Sequence, residues 1–175
     1  NGILFSYGDL TIQDSQASAT DNFAGKTQHV INDWSGLISA KKILSIDSKS
    51  LTGNGFILNT GTEVDGVVTQ GDVNIKLIDN FTQTVATVSE GAIQANGNLN
   101  FVTQGDVDNA GLLQSARVLS MQANSINNQS SGEISAGATQ LAANTISNRG
   151  LIDGSFTLLQ ANEINNIGTG RIYGD

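Results

Sequence analysis

The sequence predicts an all-β protein, a parallel β-helix with about 20 residues per coil and roughly eight coils. A glycine-led unit recurs in the C-terminal half with spacings of 20, 21, 18 and 20 residues, beginning at Gly91, Gly111, Gly132, Gly150 and Gly170. Each unit holds three short apolar clusters in which apolar and polar residues alternate, and this two-residue period is typical of strands. A unit this short cannot bury three strands alone, but copies stacked about 4.8 Å apart can.

The composition favours a fold made almost entirely of sheet. The 175 residues include no proline, a residue that interrupts sheet hydrogen bonding, whereas average usage would give roughly nine. A net charge of −8 with only eight Lys and Arg residues argues against a nucleic-acid footprint and against attraction to an anionic membrane. No apolar run approaches the length of a transmembrane helix. We therefore expect neither nucleic-acid binding nor membrane insertion of this segment.

The repeat assigns the core residues. One aliphatic residue lies two positions after each glycine, and another lies between two asparagines near the end of each unit. Both positions are predicted to face the interior of the stack. The predicted core residues are Ile93, Leu113, Ile134 and Ile152 at the first position and Ile126, Ile146 and Ile164 at the second.

The asparagines that flank the second aliphatic position form two sets, which are Asn124, Asn144 and Asn162, and Asn128, Asn148 and Asn166. Amide side chains stacked at the strand spacing can hydrogen-bond to one another along the axis as a ladder. One of the two sets is predicted to form an inward-facing ladder, and both sets are not expected to face inward. Glycine at the coil starts is expected to supply a left-handed backbone at a corner.

The chain is expected to form a single β-helical segment, residues 1–175, of a larger exoprotein. Residues 1–54 fit the template except for a polar insert near 14–27, residues 55–90 are irregular, and residues 91–175 are regular. Within the irregular part, the pattern of GVVTQGDVNIKLIDN predicts one coil that begins at Gly66. The pentapeptide TQGDV occurs at 69–73 and at 103–107, where it is expected to lead into a second and a third strand respectively.

Motifs that carry chemistry are missing from the sequence. The chain has no cysteine, no calcium-binding nonapeptide, no P-loop and no dinucleotide-binding glycine motif. The single histidine, His29, stands at the edge of the polar insert and is expected to be a solvated loop residue. We therefore expect no catalytic residues, no metal and no cofactor. The alternative is a polysaccharide-degrading or tailspike-like enzyme, which would need acids from adjacent coils clustered in a groove.

Three segments, GLLQSARVLSMQANSINN, GLIDGSFTLLQANEINN and GLISAKKILSIDSKSLTGNG, resemble the haemagglutinin repeats of filamentous haemagglutinin. The same repeats build the stalks of contact-dependent growth inhibition effectors, and both groups are two-partner secretion exoproteins of Gram-negative bacteria. The resemblance covers residues 91–175 and 36–54 well and the rest weakly. It implies a right-handed β-helix within a secreted, surface-exposed protein that passes through an outer-membrane transporter.

The resemblance also implies a receptor on a target or host cell, either a protein or a glycan. Because the regular coils are occupied with stacking, the receptor-binding residues are expected in the excursions, at Asn22, Phe23, His29, Glu63, Asp65 and Phe81. Whether the parent is a host-directed adhesin or an interbacterial toxin carrier is left open by the sequence.

Overall fold

The regular structure in the described part of this protein consists of β-strands. A computed structural model describes residues 2–15, 25–33, 36–83 and 92–175, and every regular element in these ranges is a strand. No helix in these ranges has the length and apolarity needed to cross a membrane. The strands are β1 (Ile3–Ser6), β2 (Leu10–Gln13), β3 (His29–Ile31), β4 (Leu37–Ala40), β5 (Ile43–Asp47), β6 (Ser50–Thr52), β7 (Phe56–Asn59), β8 (Thr62–Val64), β9 (Val67–Thr69), β10 (Asp72–Leu77), β11 (Phe81–Gln83), β12 (Ala92–Ala95), β13 (Leu99–Thr103), β14 (Val107–Asn109), β15 (Leu112–Gln122), β16 (Ser125–Asn128), β17 (Glu133–Ala142), β18 (Thr145–Asn148), β19 (Leu151–Gln160), β20 (Glu163–Asn166) and β21 (Arg171–Ile172).

Apart from one hairpin, the described strands pair in parallel, and strands from successive repeats lie side by side. The largest sheet has 12 strands, and within it β15 pairs with β12 through its first residues and with β13 through its last. We call the two halves of this sheet the first and second stacks. The first stack runs β1, β4, β7, β12 and on through the starts of β15, β17 and β19 to β21; the second runs β2, β5, β10, β13 and the ends of β15, β17 and β19. The third stack comprises β3 with β6 and the five-stranded sheet β11, β14, β16, β18 and β20.

The register between neighbouring strands aligns equivalent positions of the repeat. Leu113 pairs with Ile134, and Ile134 pairs with Ile152, so the position two residues after each glycine forms one row. In the third stack Ile126 pairs with Ile146. All five of these side chains are at most 1% exposed, and Ile93 is also 1% exposed.

Ile164 differs from the other predicted core residues because it is 46% exposed. It pairs with Ile146 on one side. Its strand, β20, is the last described strand of the third stack, so no described strand covers its other side. The repeat position of Ile164 is therefore equivalent to that of its partners, but the prediction that it is a core residue is wrong.

Buried asparagines form a hydrogen-bonded row along the edge of the third stack. Nδ2 of Asn109 donates to Oδ1 of Asn128 at 2.9 Å, and Nδ2 of Asn128 donates to Oδ1 of Asn148 at 2.8 Å. Nδ2 of Asn148 continues the row to Oδ1 of Asn166 at 2.9 Å. Asn109, Asn128 and Asn148 are fully buried, whereas Asn166 at the end of the row is exposed.

Asn124, Asn144 and Asn162 lie on the outside of the stack and are exposed. Nδ2 of Asn144 donates to Oδ1 of Asn124 at 2.9 Å, so part of this set also forms a row. An exposed amide exchanges a bond to water for a bond to protein, and its net contribution to stability is smaller than that of a buried amide.

Glycine is required at the repeat starts by crowding rather than by a left-handed backbone. The φ angles of Gly132, Gly150 and Gly170 are not in the positive range, so the expected reason for these glycines is wrong. A Cβ at Gly150 would lie 2.1 Å from the carbonyl oxygen of Gly132 and 2.3 Å from that of Gln129. A side chain does not fit because the asparagine row and the turn between β16 and β17 crowd this corner.

Residues 55–83 form one repeat interrupted by an insertion. β7 joins the first stack, β10 joins the second and β11 belongs to the third. The insertion is a hairpin made of β8 and β9, and Gly66 lies at its turn, so the prediction that a coil begins there is wrong. The two copies of TQGDV do lead into a second-stack and a third-stack strand, as the sequence predicts.

Replacing Gly150 with Ala should lower the free energy of unfolding by about 2 to 4 kcal/mol, because the new methyl group meets two carbonyl oxygens that already accept the N–H groups of Leu151 and Gly132. Urea denaturation followed by circular dichroism measures the change. Gly2→Ala is the matched control, since a Cβ at Gly2 would meet no heavy atom within 4 Å. Equal stabilities of the two variants would contradict the steric explanation.

Replacing Asn148 with Ala should cost about 2 to 3 kcal/mol, because its buried hydrogen-bonding partners would be left unsatisfied. Asn144→Ala removes the same side chain from the exposed row of the same repeat and should cost about 0.5 kcal/mol. Denaturation midpoints of the two variants give the comparison. A cost for Asn144→Ala equal to that for Asn148→Ala would show that the buried row has no special role.

Candidate functional site

The hairpin between β7 and β10 is the only antiparallel pairing among the described strands. In it Thr62 pairs with Thr69, Glu63 with Val68 and Val64 with Val67. Both strands leave the corner between the first and second stacks, where the next repeat makes the same connection with Asn96, Gly97 and Asn98. The hairpin is therefore an addition to a corner that can be closed without it.

The hairpin exposes apolar side chains on both of its faces. Cross-strand partners share a face, and residues two positions apart in a strand share a face. Thr62, Val64, Val67 and Thr69 therefore lie on one face, with Val64 64% and Val67 66% exposed. Glu63 and Val68 lie on the other face, and Val68 is 54% exposed.

The tip of the hairpin is a tight turn at Asp65 and Gly66. Their φ angles are 51° and 77°, and positive φ at both central residues is the requirement of a type I′ turn. Asp65 is the one non-glycine residue with positive φ among the described residues, and Asp tolerates this region better than most residues. The turn places a carboxylate at the outermost point of the hairpin.

The base of the hairpin is fixed by the side chain of Asn59, which is 2% exposed. Its Nδ2 donates to the carbonyl oxygens of Lys42 at 2.8 Å and Asp72 at 2.9 Å. Its Oδ1 accepts the backbone N–H of Gly61 at 3.1 Å. One buried amide thus joins the strand before the hairpin, the strand after it and the preceding repeat.

Contacts with neighbouring repeats hold the two ends of the hairpin. The N–H of Gly97 donates to the carbonyl oxygen of Gly71 at 2.9 Å, and Nη1 of Arg117 donates to Oε1 of Gln70 at 2.6 Å. Nζ of Lys41 donates to Oγ1 of Thr60 at 2.6 Å. A Cβ at Gly71 would lie 1.8 Å from Oδ1 of Asn59, so this position accepts only glycine. The hairpin is consequently exposed along its length and anchored at its base.

Two predicted receptor-binding residues, Glu63 and Asp65, lie on this hairpin and are exposed. The sequence reasoning missed Val64, Val67 and Val68 because it treated Gly66 as the start of a coil. The signal was present, since an Asp-Gly pair flanked by apolar residues is the strongest short-range indication of a hairpin.

Phe81 is not available to a receptor, which corrects its predicted role. It is 3% exposed and packs against Phe101 with ring centroids 5.0 Å apart. Its strand, β11, pairs with β14 so that Phe81 is aligned with the buried Val107. Phe81 is a core residue of the third stack because the hairpin, and not an irregular backbone, accounts for the extra length before it.

His29 is exposed and belongs to strand β3 rather than to a loop, which corrects the expectation from the sequence. Its Nδ1 lies 2.6 Å from Oγ of Ser50 on the neighbouring strand. β3 is in the third stack, so the structure does not bring His29 together with Glu63 and Asp65. The predicted residues Asn22 and Phe23 lie outside the described residues.

The alternative prediction, an enzyme, requires acids from adjacent repeats that line a groove. The outer face of the second stack carries a groove of about 580 Å³. The carboxylate that lines it is that of Asp47, which forms a salt bridge with the buried Lys26. Lys76, Asn74 and Asn100 also line the groove. Among the described residues, no group of three or more His, Cys, Asp or Glu side chains is arranged to hold a metal ion.

Asp106 terminates the exposed asparagine row. Its Oδ1 accepts hydrogen bonds from Nδ2 of Asn124 at 2.7 Å and from Oγ of Ser125 at 2.8 Å. These two bonds, with a backbone bond from Ser125, hold the pKa of Asp106 below its ordinary value of 3.8, although partial burial acts in the opposite direction.

Comparison of the chain with protein-family models, with curated proteins and with solved structures gives no match.

Asp106→Asn should reduce stability at neutral pH and much less in acid. The depressed pKa in the folded state means that the ionised carboxylate stabilises the fold above pH 3.8, and this contribution disappears as the pH falls through the lower folded-state value. Urea denaturation of both proteins between pH 7 and pH 2 measures the difference. Asp65→Asn, at the exposed turn, is the control. A difference in unfolding free energy between the original chain and Asp106→Asn that does not change with pH would contradict the stabilising role of the ionised carboxylate.

Proposed function

We propose that this chain is a right-handed parallel β-helical segment of a secreted Gram-negative exoprotein, and that it presents a receptor-binding hairpin to another cell. The parent would be an adhesin like filamentous haemagglutinin or a carrier of a contact-dependent growth inhibition toxin. It would reach the cell surface through an outer-membrane transporter.

The architecture proposed rests on the order of the strand pairing. Each full repeat contributes one strand, or one half of a long strand, to each stack, and successive members of a stack come from successive repeats in parallel register. This is the pattern expected when a chain winds around one axis with about 20 residues per turn. The glycine-led motif and its resemblance to haemagglutinin repeats support the choice of protein class.

The observation that carries the binding function is the projecting hairpin. Exposed valines are unfavourable in water unless a partner covers them. Val64, Val67 and Val68 are each more than half exposed on an element that the corner does not need. An anchored base and an exposed apolar end are properties of a recognition element held on a rigid support.

The proposal is tested by replacing residues 60–71 with Asn-Gly, the connection that the next repeat uses at Asn96 and Gly97. Because Ala95 and Asn98 occupy the positions of Asn59 and Asp72, the shortened chain should keep its far-UV circular dichroism and its melting temperature. Binding of fluorescently labelled chain to intact Gram-negative bacteria and to epithelial cells is then measured by flow cytometry.

We expect the unaltered chain to bind one of the two cell types and the shortened chain to lose at least about tenfold in apparent affinity. The cell type that is bound separates the toxin carrier from the adhesin. A folded, shortened chain that binds as well as the original would show that the hairpin is not the receptor-binding element.

A further inference from the structure

The chemistry of the hairpin also defines the kind of surface that it fits, and this inference rests on the proposed receptor-binding function. The two faces and the turn of the hairpin carry different groups. The side chains on which binding depends therefore differ between one mode of contact with a partner and another.

A partner that lay flat against one face would leave exposed valine on the other. Val64 and Val67 project from one face and Val68 from the opposite face, and all three remain exposed in the isolated chain. Both faces become buried together only if the hairpin enters a cleft.

The charges of the hairpin indicate what the cleft contains. The segment GTEVDGVVTQ, residues 61–70, includes two carboxylates and no Lys, Arg or His. Asp65 lies at the tip and Glu63 lies on the face of Val68. Burying an ionised carboxylate without a partner is costly, so a cleft that accepts this hairpin needs cationic groups near its floor and along one wall.

A second copy of the chain does not meet this requirement. Each copy carries a net charge of −8, and two hairpins would bring four carboxylates together. The arrangement of charge thus favours a different molecule with basic side chains.

We infer that the partner is a protein with an apolar cleft bearing Lys or Arg side chains, into which the hairpin inserts tip first, with Val64 and Val67 against one wall and Val68 against the other. Because Asn59 and the contacts of Gly71 fix the base, little conformational freedom is lost when the hairpin enters.

The test uses the cells that bind the unaltered chain. Val64→Thr combined with Val67→Thr changes one face, and Val68→Thr changes the other; Thr keeps the shape and strand preference of Val. Glu63→Gln and Asp65→Asn remove the charges, and Asn retains the preference for positive φ at the turn. Val102→Thr and Asp153→Asn, on strands β13 and β19, are the matched controls.

We expect a loss of about tenfold in apparent affinity for the variant of either face and about tenfold or more for the combined charge variant. The effect of the charge variant should shrink as the salt concentration rises from 50 to 500 mM, values chosen to span about a threefold change in screening length. The two controls should bind like the unaltered chain.

Each alternative has its own outcome. Loss on one face only would overturn insertion in favour of flat docking, and unchanged binding of the charge variants would overturn the basic cleft. Binding that survives protease treatment of the cells, or binding to protein-free vesicles of phosphatidylcholine and phosphatidylglycerol, would overturn a protein partner. In each of these cases the receptor-binding function of the hairpin still stands if the chain without residues 60–71 fails to bind. Undiminished binding by that shortened chain would overturn both the receptor-binding function and the insertion into a basic cleft.

Discussion

The in-register pairing of parallel strands is the constraint on which the rest of the structure depends. When each strand aligns with its equivalent in the next repeat, every inward position meets its own equivalents at the strand spacing. Ile126 and Ile146 satisfy this condition with identical side chains, and Asn128 and Asn148 satisfy it by donating and accepting along one row. The recurrence of Asn-x-Ile-x-Asn at 124–128, 144–148 and 162–166 follows, because a change in one repeat alters the surroundings of two others.

The buried asparagine row also determines where glycine occurs. An amide that turns inward at the end of a strand occupies the volume in which the next repeat begins. The potential Cβ of Gly132 would lie 2.3 Å from Oδ1 of Asn128, and that of Gly71 would lie even closer to Asn59. Asparagine and glycine therefore form one packing unit at these corners. This unit explains the glycine-led repeat better than backbone conformation does.

The regular part of the fold was predictable because its residues are coupled to their equivalents above and below. Leu113, Ile134 and Ile152 reveal their role by recurring, and so does Asn148, the last residue of β18. Val64 and Val67 pair only with each other, so no repeat points to them. The hairpin also displaced the spacing that would have placed Phe81 in the core. Ile164 shows a different limit, since a repeat gives the direction of a side chain but not whether another strand covers it.

This division between coupled and uncoupled residues has a consequence for how the proposed recognition surface could change its partner. Substitution at an inward position affects at least two neighbouring repeats, whereas substitution at the exposed valines affects the hairpin alone. Asn59 lies at the boundary between the stacked strands and the hairpin. Its side chain hydrogen-bonds to Lys42 of the preceding repeat and to Gly61, the residue directly before β8. As long as this amide is kept, the residues of the hairpin can vary with little loss of stability in the stacked strands. The proposed recognition surface is thus separated energetically from its support, and the support is the part that must repeat.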